Sequence, residues 1–268
     1  MRFKLVLNIL SRNKILPINY QYALHSWIYK VIGRANAEFA RFLHDEGYAL
    51  GSKQFKLFTF SSLQGTPYEI FPQEGRILFK TDELSLKISF WMPQAAKHFI
   101  VGLFQRQQFS IGDRLHQVDF QVSRIEALPR PFFTDRMQYR LLTPVVLSNK
   151  VEGNRHKQYL DPASVPDYGR YFINNLLEKA RAVKLSIREP IGVVDYQDEL
   201  AGEFRLIGKS KRKGIHIKQH QAGHTQVIGY LYNFELEAPV ELQELGYYVG
   251  FGEENGMGFG MGMVNDEG

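Results

Sequence analysis

The chain has 268 residues, of which 44% are hydrophobic and 13% aromatic, which is enough to form two modest cores or one large core. It has no cysteine, which excludes disulfides and thiolate chemistry, and its eight histidines lack the spacing of metal ligands, so we expect neither a metal nor a cofactor. A net charge of +5 and a pI near 9.2 favour a polyanionic partner, while the lack of an 18-residue apolar run or a signal peptide predicts a cytoplasmic protein without a membrane partner.

The first half of the chain, residues 1–128, alternates strand and helix patterns. Its strand patterns alternate apolar and polar residues and read RFKLVLNIL, QFKLFTFSSL, GRILFKT, LSLKISFWM and HQVDFQVSRIEAL. Helical spacing appears in YQYALHSWIYKVI, in a short segment from Ala37 to Gly47, and in PQAAKHFIVGLFQ, which opens at Pro93. This order predicts an α+β domain of the ferredoxin-like kind.

The second half, residues 134–268, repeats that order after the linker PRPFF, residues 129–133. YRLLTPVVLSN predicts a strand that is interrupted at Pro144, PDYGRYFINNLLEKARAV a helix, and TQVIGYLYNFELEA a long strand. The segments FRLIG and GIHIKQ are predicted to flank a turn. The fold class is therefore α+β, with tandem ferredoxin-like (RRM-like) βαββαβ domains at 1–128 and 134–268.

The chain ends in a glycine-rich stretch, GYYVGFGEENGMGFGMGMV, residues 246–264. Clustered glycines suit either a tight packing turn or a loop that approaches a phosphate–ribose chain closely. Dinucleotide binding would need a helix after the glycines, and the residues that follow have a strand pattern instead. The packing turn and the RNA-contacting loop both remain open from the residues alone.

The same stretch resembles the C-terminal signature of the CRISPR repeat-associated RNA-binding (RAMP) superfamily, G-h-G-x-x-N/R-x-x-G-F-G-h. The positions matched to that signature, which the resemblance implies contact RNA, are Gly250, Gly252, Asn255, Gly258 and Gly260, with Phe259 between the last two. The first half is similar to the precursor CRISPR RNA endoribonuclease of that superfamily, through MRFKL, INYQYALHSWIYKVI, ARFLHDEGY and KLFTFS. The resemblance spans the whole chain, and it implies two ferredoxin-like domains with RNA lying across them.

The resemblance also implies a catalytic set of Tyr29, His44 and Lys56. His44 would act as general acid or base, because imidazole titrates near neutral pH. Lys56 would stabilise charge on the phosphate, and Tyr29 would orient or weakly activate the 2′-hydroxyl. His25 is the rival to His44, since it lies four residues before Tyr29 and shares its helix face. Without the resemblance, each of these residues could equally be a surface or packing residue.

Two basic segments are candidates for holding the RNA backbone. The first, GKSKRKGIHIKQ, carries Lys209, Lys211, Arg212, Lys213 and Lys218. The second, NKVEGNRHKQYL, carries Arg155 and Lys157. A solvated hairpin tip would explain the charges of the first segment equally well. Glu253 and Glu254 in the glycine-rich stretch fit RNA contact only if they point away from phosphate.

The leading hypothesis is a metal-independent endoribonuclease that cuts CRISPR repeat RNA by 2′-hydroxyl attack and leaves 2′,3′-cyclic phosphate and 5′-hydroxyl ends. The alternative is a non-catalytic RNA-binding subunit of a CRISPR ribonucleoprotein, in which His44 is incidental. A nucleotide-dependent enzyme is a third reading, which lacks a Walker lysine. CRISPR repeat RNA is the predicted partner, and CRISPR effector subunits are further candidates for a monomer or homodimer.

Overall fold

The structure is a computed structural model that describes residues 1–150, 157–186, 202–217 and 224–264. The first half contains, in chain order, β1 (Arg2–Ile9), β2 (Ile15–Pro17), α1 (Gln21–Ala35), α2 (Ala37–Asp45), β3 (Tyr48–Leu50), β4 (Lys53–Phe55), β5 (Phe58–Phe60), β6 (Tyr68–Phe71), β7 (Arg76–Phe79), β8 (Glu83–Phe90), α3 (Pro93–Gln105), β9 (Gln108–Gly112) and β10 (Gln117–Ala127).

The second half contains β11 (Arg136–Leu141), β12 (Ser148–Lys150), β13 (Lys157–Tyr159), α4 (Tyr168–Ser186), β14 (Glu203–Ile217), β15 (Thr225–Glu237), α5 (Val240–Val249), a 3₁₀ turn (Asn255–Met257) and β16 (Gly262–Val264). The predicted α+β class is confirmed. Within the described ranges, no helix is long and apolar enough to cross a membrane.

Two antiparallel sheets carry the fold. The first is five-stranded in the order β5-β8-β1-β10-β9, and the second is four-stranded in the order β14-β15-β11-β16. In the first sheet β1 pairs with β8 and β10, and in the second sheet β11 pairs with β15 and β16. The first strand of each half therefore pairs with strands that come much later in the chain. Alternating side chains of these strands are buried against the helices, which is the period-two pattern that the sequence shows.

Local sequence features explain the burial of α1 and the two ends of α2. The apolar stripe of α1 is buried, and Leu24, Ile28 and Val31 are completely inaccessible to solvent. Asn36 caps α2, because its side-chain oxygen accepts a hydrogen bond from the Phe39 amide at 2.8 Å. The helix is terminated at Gly47, whose backbone φ of +64° suits glycine and whose amide donates to Phe42 O.

Two predictions about local structure are wrong, and one helix was not predicted. The segment QFKLFTFSSL is not one strand, because Leu57 has a left-handed backbone (φ +52°) that separates β4 from β5. FRLIG and GIHIKQ do not flank a turn but belong to the single strand β14, which contains an irregularity between Ile207 and Lys211. The helix α5 was not predicted, and it includes the first residues of the glycine-rich stretch.

The glycine-rich end packs against the first sheet and joins the two halves. The buried guanidinium of Arg2 donates hydrogen bonds to Gly262 O at 2.8 Å and to Tyr247 O, and lies 3.5 Å from the centre of the Tyr247 ring. Thr59 Oγ1, also buried, donates to Phe259 O at 2.9 Å. These bonds hold the glycine-rich end against β1 and β5.

Candidate active site

A cavity of about 720 Å³ opens between the first half and the glycine-rich end. All four of the predicted catalytic candidates, His25, Tyr29, His44 and Lys56, line it. The opposite wall includes Glu253, Glu254 and Gly256. Residues from opposite ends of the chain therefore share one solvent-accessible space, which is wide enough to admit part of a nucleotide chain.

The face of α1 contributes His25 and Tyr29, whose ring centres are 4.7 Å apart. Nδ1 of His25 lies 2.8 Å from the backbone oxygen of Gly256, which is 231 residues later in the chain. The hydroxyl of Tyr29 donates a long hydrogen bond of 3.4 Å to Leu43 O. Burial raises the pKa of Tyr29, so its phenol stays neutral at physiological pH and can donate a hydrogen bond but is a poor base.

His44 lies in the last turn of α2 and is exposed, with 63% of its side chain accessible. Its Nδ1 is 2.7 Å from the Asp45 carboxylate. The His44 ring centre is 5.3 Å from that of Tyr29 and 6.4 Å from that of His25. The three rings therefore form a triangle, and all three residues line the same cavity.

Lys56 follows β4 and reaches back to α2, where its Nζ donates a hydrogen bond of 2.7 Å to His44 O. Partial burial lowers the pKa of Lys56, and the Asp45 carboxylate offsets part of that effect. The lysine thus places a cation beside His44. Its β- and γ-carbons lie close to Gly256, where an added Cβ would come within 3.2 Å of both.

Two residues of the cavity wall have an unusual backbone. Leu57 and Glu254, with φ of +52° and +58°, are the non-glycine residues with positive φ within the described ranges, and both line the cavity. A left-handed backbone costs a non-glycine residue on the order of 1–2 kcal/mol, so the surrounding contacts must hold it. Such strain is frequently concentrated at functional sites.

The glycines of the predicted signature are buried at the seam between the sheets. Gly250, Gly252, Gly258 and Gly260 all have positive φ, between +71° and +95°. The amides of Gly250, Gly258 and Gly260 donate to backbone oxygens of the protein. Asn255 is buried as well, and its Nδ2 donates to Phe251 O and Phe259 O, both at 3.1 Å. This placement favours packing for these residues, and their contact with RNA stays a prediction.

A buried lysine that the sequence analysis missed supports the start of this stretch. Lys179 on α4 is 1% exposed, and its Nζ donates hydrogen bonds to Gly250 O at 2.7 Å and Gly252 O at 2.6 Å. Burial lowers its pKa to about 7, and Glu253 and Glu178 offset part of the effect. The signal that could have identified it is its position on the apolar stripe of α4, between Leu176 and Val183.

The basic candidates are spread over two places. Lys209, Lys211 and Arg212 are exposed on β14, and Lys213 on the same strand is half-buried. Lys157 lines the cavity, 3.5 Å from the Glu253 carboxylate and 3.7 Å from that of Glu254. Although partial burial lowers its pKa, the two carboxylates raise it overall. Arg155 and Lys218 lie outside the described residues.

Glu253 and Glu254 face Lys157 and are therefore not simply directed away from the cavity. Glu253 also accepts hydrogen bonds from the amide and hydroxyl of Ser148, at 3.0 Å and 2.8 Å. Within the described ranges, no group of three or more histidine, aspartate or glutamate side chains lies close enough together to hold a metal ion.

Family models match both halves of the chain. Residues 128–264 match the model described as CRISPR associated protein Cas6, C-terminal, which is more than half of the chain. Residues 15–126 match the model described as CRISPR-associated protein Cas6, N-terminal.

Curated relatives and a solved structure agree with these matches. A CRISPR-associated endoribonuclease-like protein Cas6 of Pyrococcus furiosus is 28% identical over 100% of both chains. CRISPR-associated endoribonuclease Cas6 1 of Methanocaldococcus jannaschii is 28% identical over 94% of this chain and 88% of its own. The structure of a Cas6-related gene product from Pyrococcus furiosus is 26% identical, with a TM-score of 0.79 over 100% of this chain and 99% of the other.

Proposed function

We propose that this chain, which belongs to the Cas6 family of CRISPR-associated proteins, is a cytoplasmic, metal-independent endoribonuclease that cuts CRISPR repeat RNA into guide RNAs. The observation that carries the proposal is the convergence of Tyr29, His44 and Lys56 on one cavity. Those residue types supply a proton-transfer group, a cation and a hydrogen-bond donor, which together suffice for RNA cleavage.

The reaction uses the nucleophile that RNA itself carries. The 2′-hydroxyl loses its proton, its oxygen bonds to the adjacent phosphorus, and the bond from phosphorus to the 5′-oxygen breaks. The leaving 5′-oxygen takes up a proton, which gives a 2′,3′-cyclic phosphate and a 5′-hydroxyl. His44 exchanges protons with these oxygens, Lys56 stabilises the charge on the phosphorane, and neutral Tyr29 orients the reacting groups.

The RNA would lie across both halves of the protein, which we propose to be tandem ferredoxin-like domains at residues 1–128 and 134–268. The strand orders support this assignment, because in each sheet the first strand of its half is central and the strands are antiparallel. The exposed cations of β14 would bind phosphates of the flanking RNA. Lys157 would contribute less, since Glu253 and Glu254 already neutralise it.

One observation favours the alternative, a non-catalytic RNA-binding subunit of a CRISPR effector complex. The ammonium group of Lys56 donates to the His44 backbone oxygen, which is also what a purely structural lysine would do. The fold and the β14 cations would serve RNA binding equally well without cleavage, in a monomer or a homodimer.

The test is cleavage of end-labelled CRISPR repeat RNA in excess EDTA by the wild type, by His44→Ala and by His116→Ala. His116 lies in the turn between β9 and β10, outside the cavity lining, and its variant controls for the loss of a histidine as such. A second substrate carries a 2′-deoxy sugar at the cut site.

We expect the wild type and His116→Ala to cut the repeat and to leave a cyclic phosphate. His44→Ala should be slower by roughly a hundredfold to ten-thousandfold, and the deoxy substrate should remain intact. RNA that is bound tightly but never cut would establish the non-catalytic alternative. Cleavage only when a divalent ion is added would refute the metal-independent mechanism.

A further inference from the structure

We propose that His216 and His224 form a surface site for a divalent transition-metal ion of the zinc, nickel or copper class. His216 is the penultimate residue of β14, and His224 immediately precedes β15. Neither residue lines the cavity between the halves. The inference is therefore independent of the proposed endoribonuclease function, in which no metal takes part.

Strand pairing brings the two histidines together although they are eight residues apart in the chain. His216 pairs with Gln226, and His224 lies two residues before Gln226. Side chains two residues apart along a strand point to the same face, so all three side chains share one face of the hairpin. A spacing of eight residues has no meaning as a ligand pattern until β14 and β15 pair, which is why the sequence alone did not indicate this site.

The two rings already have the spacing of ligands to a single ion. Nδ1 of His216 and Nε2 of His224 are 2.9 Å apart. Two nitrogens that each bind an ion at about 2.0–2.1 Å, with tetrahedral or octahedral angles, are separated by about 2.8–3.4 Å. Rotation of the rings about their side-chain bonds would direct both lone pairs to one ion. Imidazole suits zinc, copper and nickel, whereas magnesium and calcium prefer oxygen ligands, and this chemistry sets the class of the ion.

The contact between the rings identifies what the ion would replace. Two lone pairs at 2.9 Å would repel each other, so one ring donates its N–H to the other when no ion is bound. The ion takes the place of that proton, which moves to the second nitrogen of the ring that carried it. Both rings then stay neutral, which is the form in which histidine binds metals.

Gln226 has the position of an outer-shell partner for the ion. Its side-chain amide lies 3.4 Å from Nε2 of His216, the ring nitrogen that does not contact His224. A metal-bound imidazole usually donates its second N–H to a carboxylate or carbonyl oxygen, and the amide oxygen of Gln226 can accept it once the amide turns over. Gly214 on the paired strand leaves room for this amide, because an added Cβ there would lie 2.9 Å from the Gln226 nitrogen.

The backbone beneath the pair is well anchored. Ile215 and Ile217, on either side of His216, are each 9% exposed and pack with Val227 in a small apolar cluster. The amide of His216 also donates to the Asn19 side-chain oxygen at 3.3 Å. The His216 ring remains half-buried and His224 exposed, so water can complete the coordination of the ion. Two protein ligands are fewer than the three or four of catalytic and structural zinc sites, so we expect exchangeable binding.

The experiment titrates tag-free protein, freed of metal by a chelator and dialysis, with Zn²⁺, Ni²⁺ and Mg²⁺ in a calorimeter. The variants are His216→Ala, His224→Ala and Gln226→Glu. Two further variants are controls: His116→Ala removes a histidine from the turn between β9 and β10, and His44→Ala removes one from the cavity.

We expect one Zn²⁺ or Ni²⁺ ion to bind per chain, and Mg²⁺ to bind far more weakly. Loss of either histidine should weaken Zn²⁺ binding by at least about tenfold to a hundredfold, since loss of an outer-shell partner alone costs that much. Gln226→Glu should tighten binding, because a carboxylate accepts the His216 N–H more strongly and adds negative charge beside the ion. Misfolding cannot produce that gain.

The inference is overturned if the wild type binds neither Zn²⁺ nor Ni²⁺, or if His216→Ala and His224→Ala bind them as the wild type does. It is also overturned if His44→Ala is the variant that loses the ion, since the ion would then be in the cavity. The titrations contain no RNA, so failure here leaves the proposed endoribonuclease function standing, and failure of cleavage leaves the metal site standing.

Discussion

Replacing Lys179 by methionine should remove a pH dependence from the stability of the protein. Lys179 is fully buried, and burial lowers its pKa from 10.5 to about 7. Between these two values the unfolded chain binds more protons than the folded one, so stability rises as the pH rises from 7 towards 10. The neutral amine retains two N–H groups, enough for the hydrogen bonds to Gly250 O and Gly252 O.

The size of the effect follows from the pKa difference. A shift of about 3.5 pH units corresponds to roughly 5 kcal/mol between the limits of full protonation and full deprotonation. Over the accessible window from pH 7 to pH 9, the wild type should gain about 2 kcal/mol from this one group. Methionine has nearly the same length and no charge, so the free energy of unfolding of the variant should not rise in this way between pH 7 and pH 9. The substitution also leaves the oxygens of Gly250 and Gly252 without these hydrogen bonds, which lowers stability at every pH.

The assay is urea unfolding at pH 7, 8 and 9 for the wild type, Lys179→Met and Lys184→Met, the last being an exposed lysine of the same helix. The difference between wild type and Lys179→Met should grow with pH, while Lys184→Met should follow the wild type. If wild type and Lys179→Met change in parallel from pH 7 to pH 9, Lys179 is protonated across the window, and our account of its burial is incorrect.

Gly260→Ala should cost roughly 3–4 kcal/mol in urea unfolding, because its φ is +73° and the added Cβ would lie 1.9 Å from Phe251 O. Gly51→Ala has φ +57° and open space around it, so it should cost only about 1–2 kcal/mol, and equal losses would contradict the steric account. Arg212→Gln should weaken binding of uncleavable repeat RNA and flatten its log–log salt dependence by about 0.7, whereas an unchanged slope would mean that Arg212 contacts no phosphate. Tyr29→Phe should slow cleavage by less than about tenfold, since burial keeps the phenol neutral and unfit as a base; a loss of a thousandfold or more would contradict this.

The regular amphipathic helices and strands could be predicted from the sequence. The strand β14 and the helix α5 could not, because neither shows a clear apolar pattern. In β14 the irregularity between Ile207 and Lys211 interrupts the alternation, and the exposed lysines of an edge strand look like those of a solvated turn. In α5 the apolar residues surround the helix, so no stripe marks it, and Gly246 resembles a helix end. That glycine is inside the helix because the Phe251 ring occupies the space where a Cβ would lie, 2.3 Å away.

Some residues of the candidate site could be predicted from the sequence, whereas the contacts between residues far apart in the chain could not. The shared helix face of His25 and Tyr29 follows from their spacing of four, and the resemblance to a known family indicated His44 and Lys56. The partner of His25 could not be predicted, because Gly256 is 231 residues away and contributes only a backbone oxygen. Sequence patterns carry no signal for a main-chain carbonyl that orients a distant side chain.

The burial of Arg2 has a consequence for how the protein is made. Its guanidinium donates hydrogen bonds to the backbone oxygens of Tyr247 and Gly262, so the first strand to leave the ribosome carries a charge with partners among the last residues to be synthesised. Until those residues emerge, the Arg2 guanidinium must stay hydrated, because burying a charge without its hydrogen-bond partners is costly. The N-terminal strand therefore reaches its final environment only after the C-terminal one has been translated, and a ribosome that stalls before residue 262 holds a chain in which Arg2 cannot yet bond to Gly262 O.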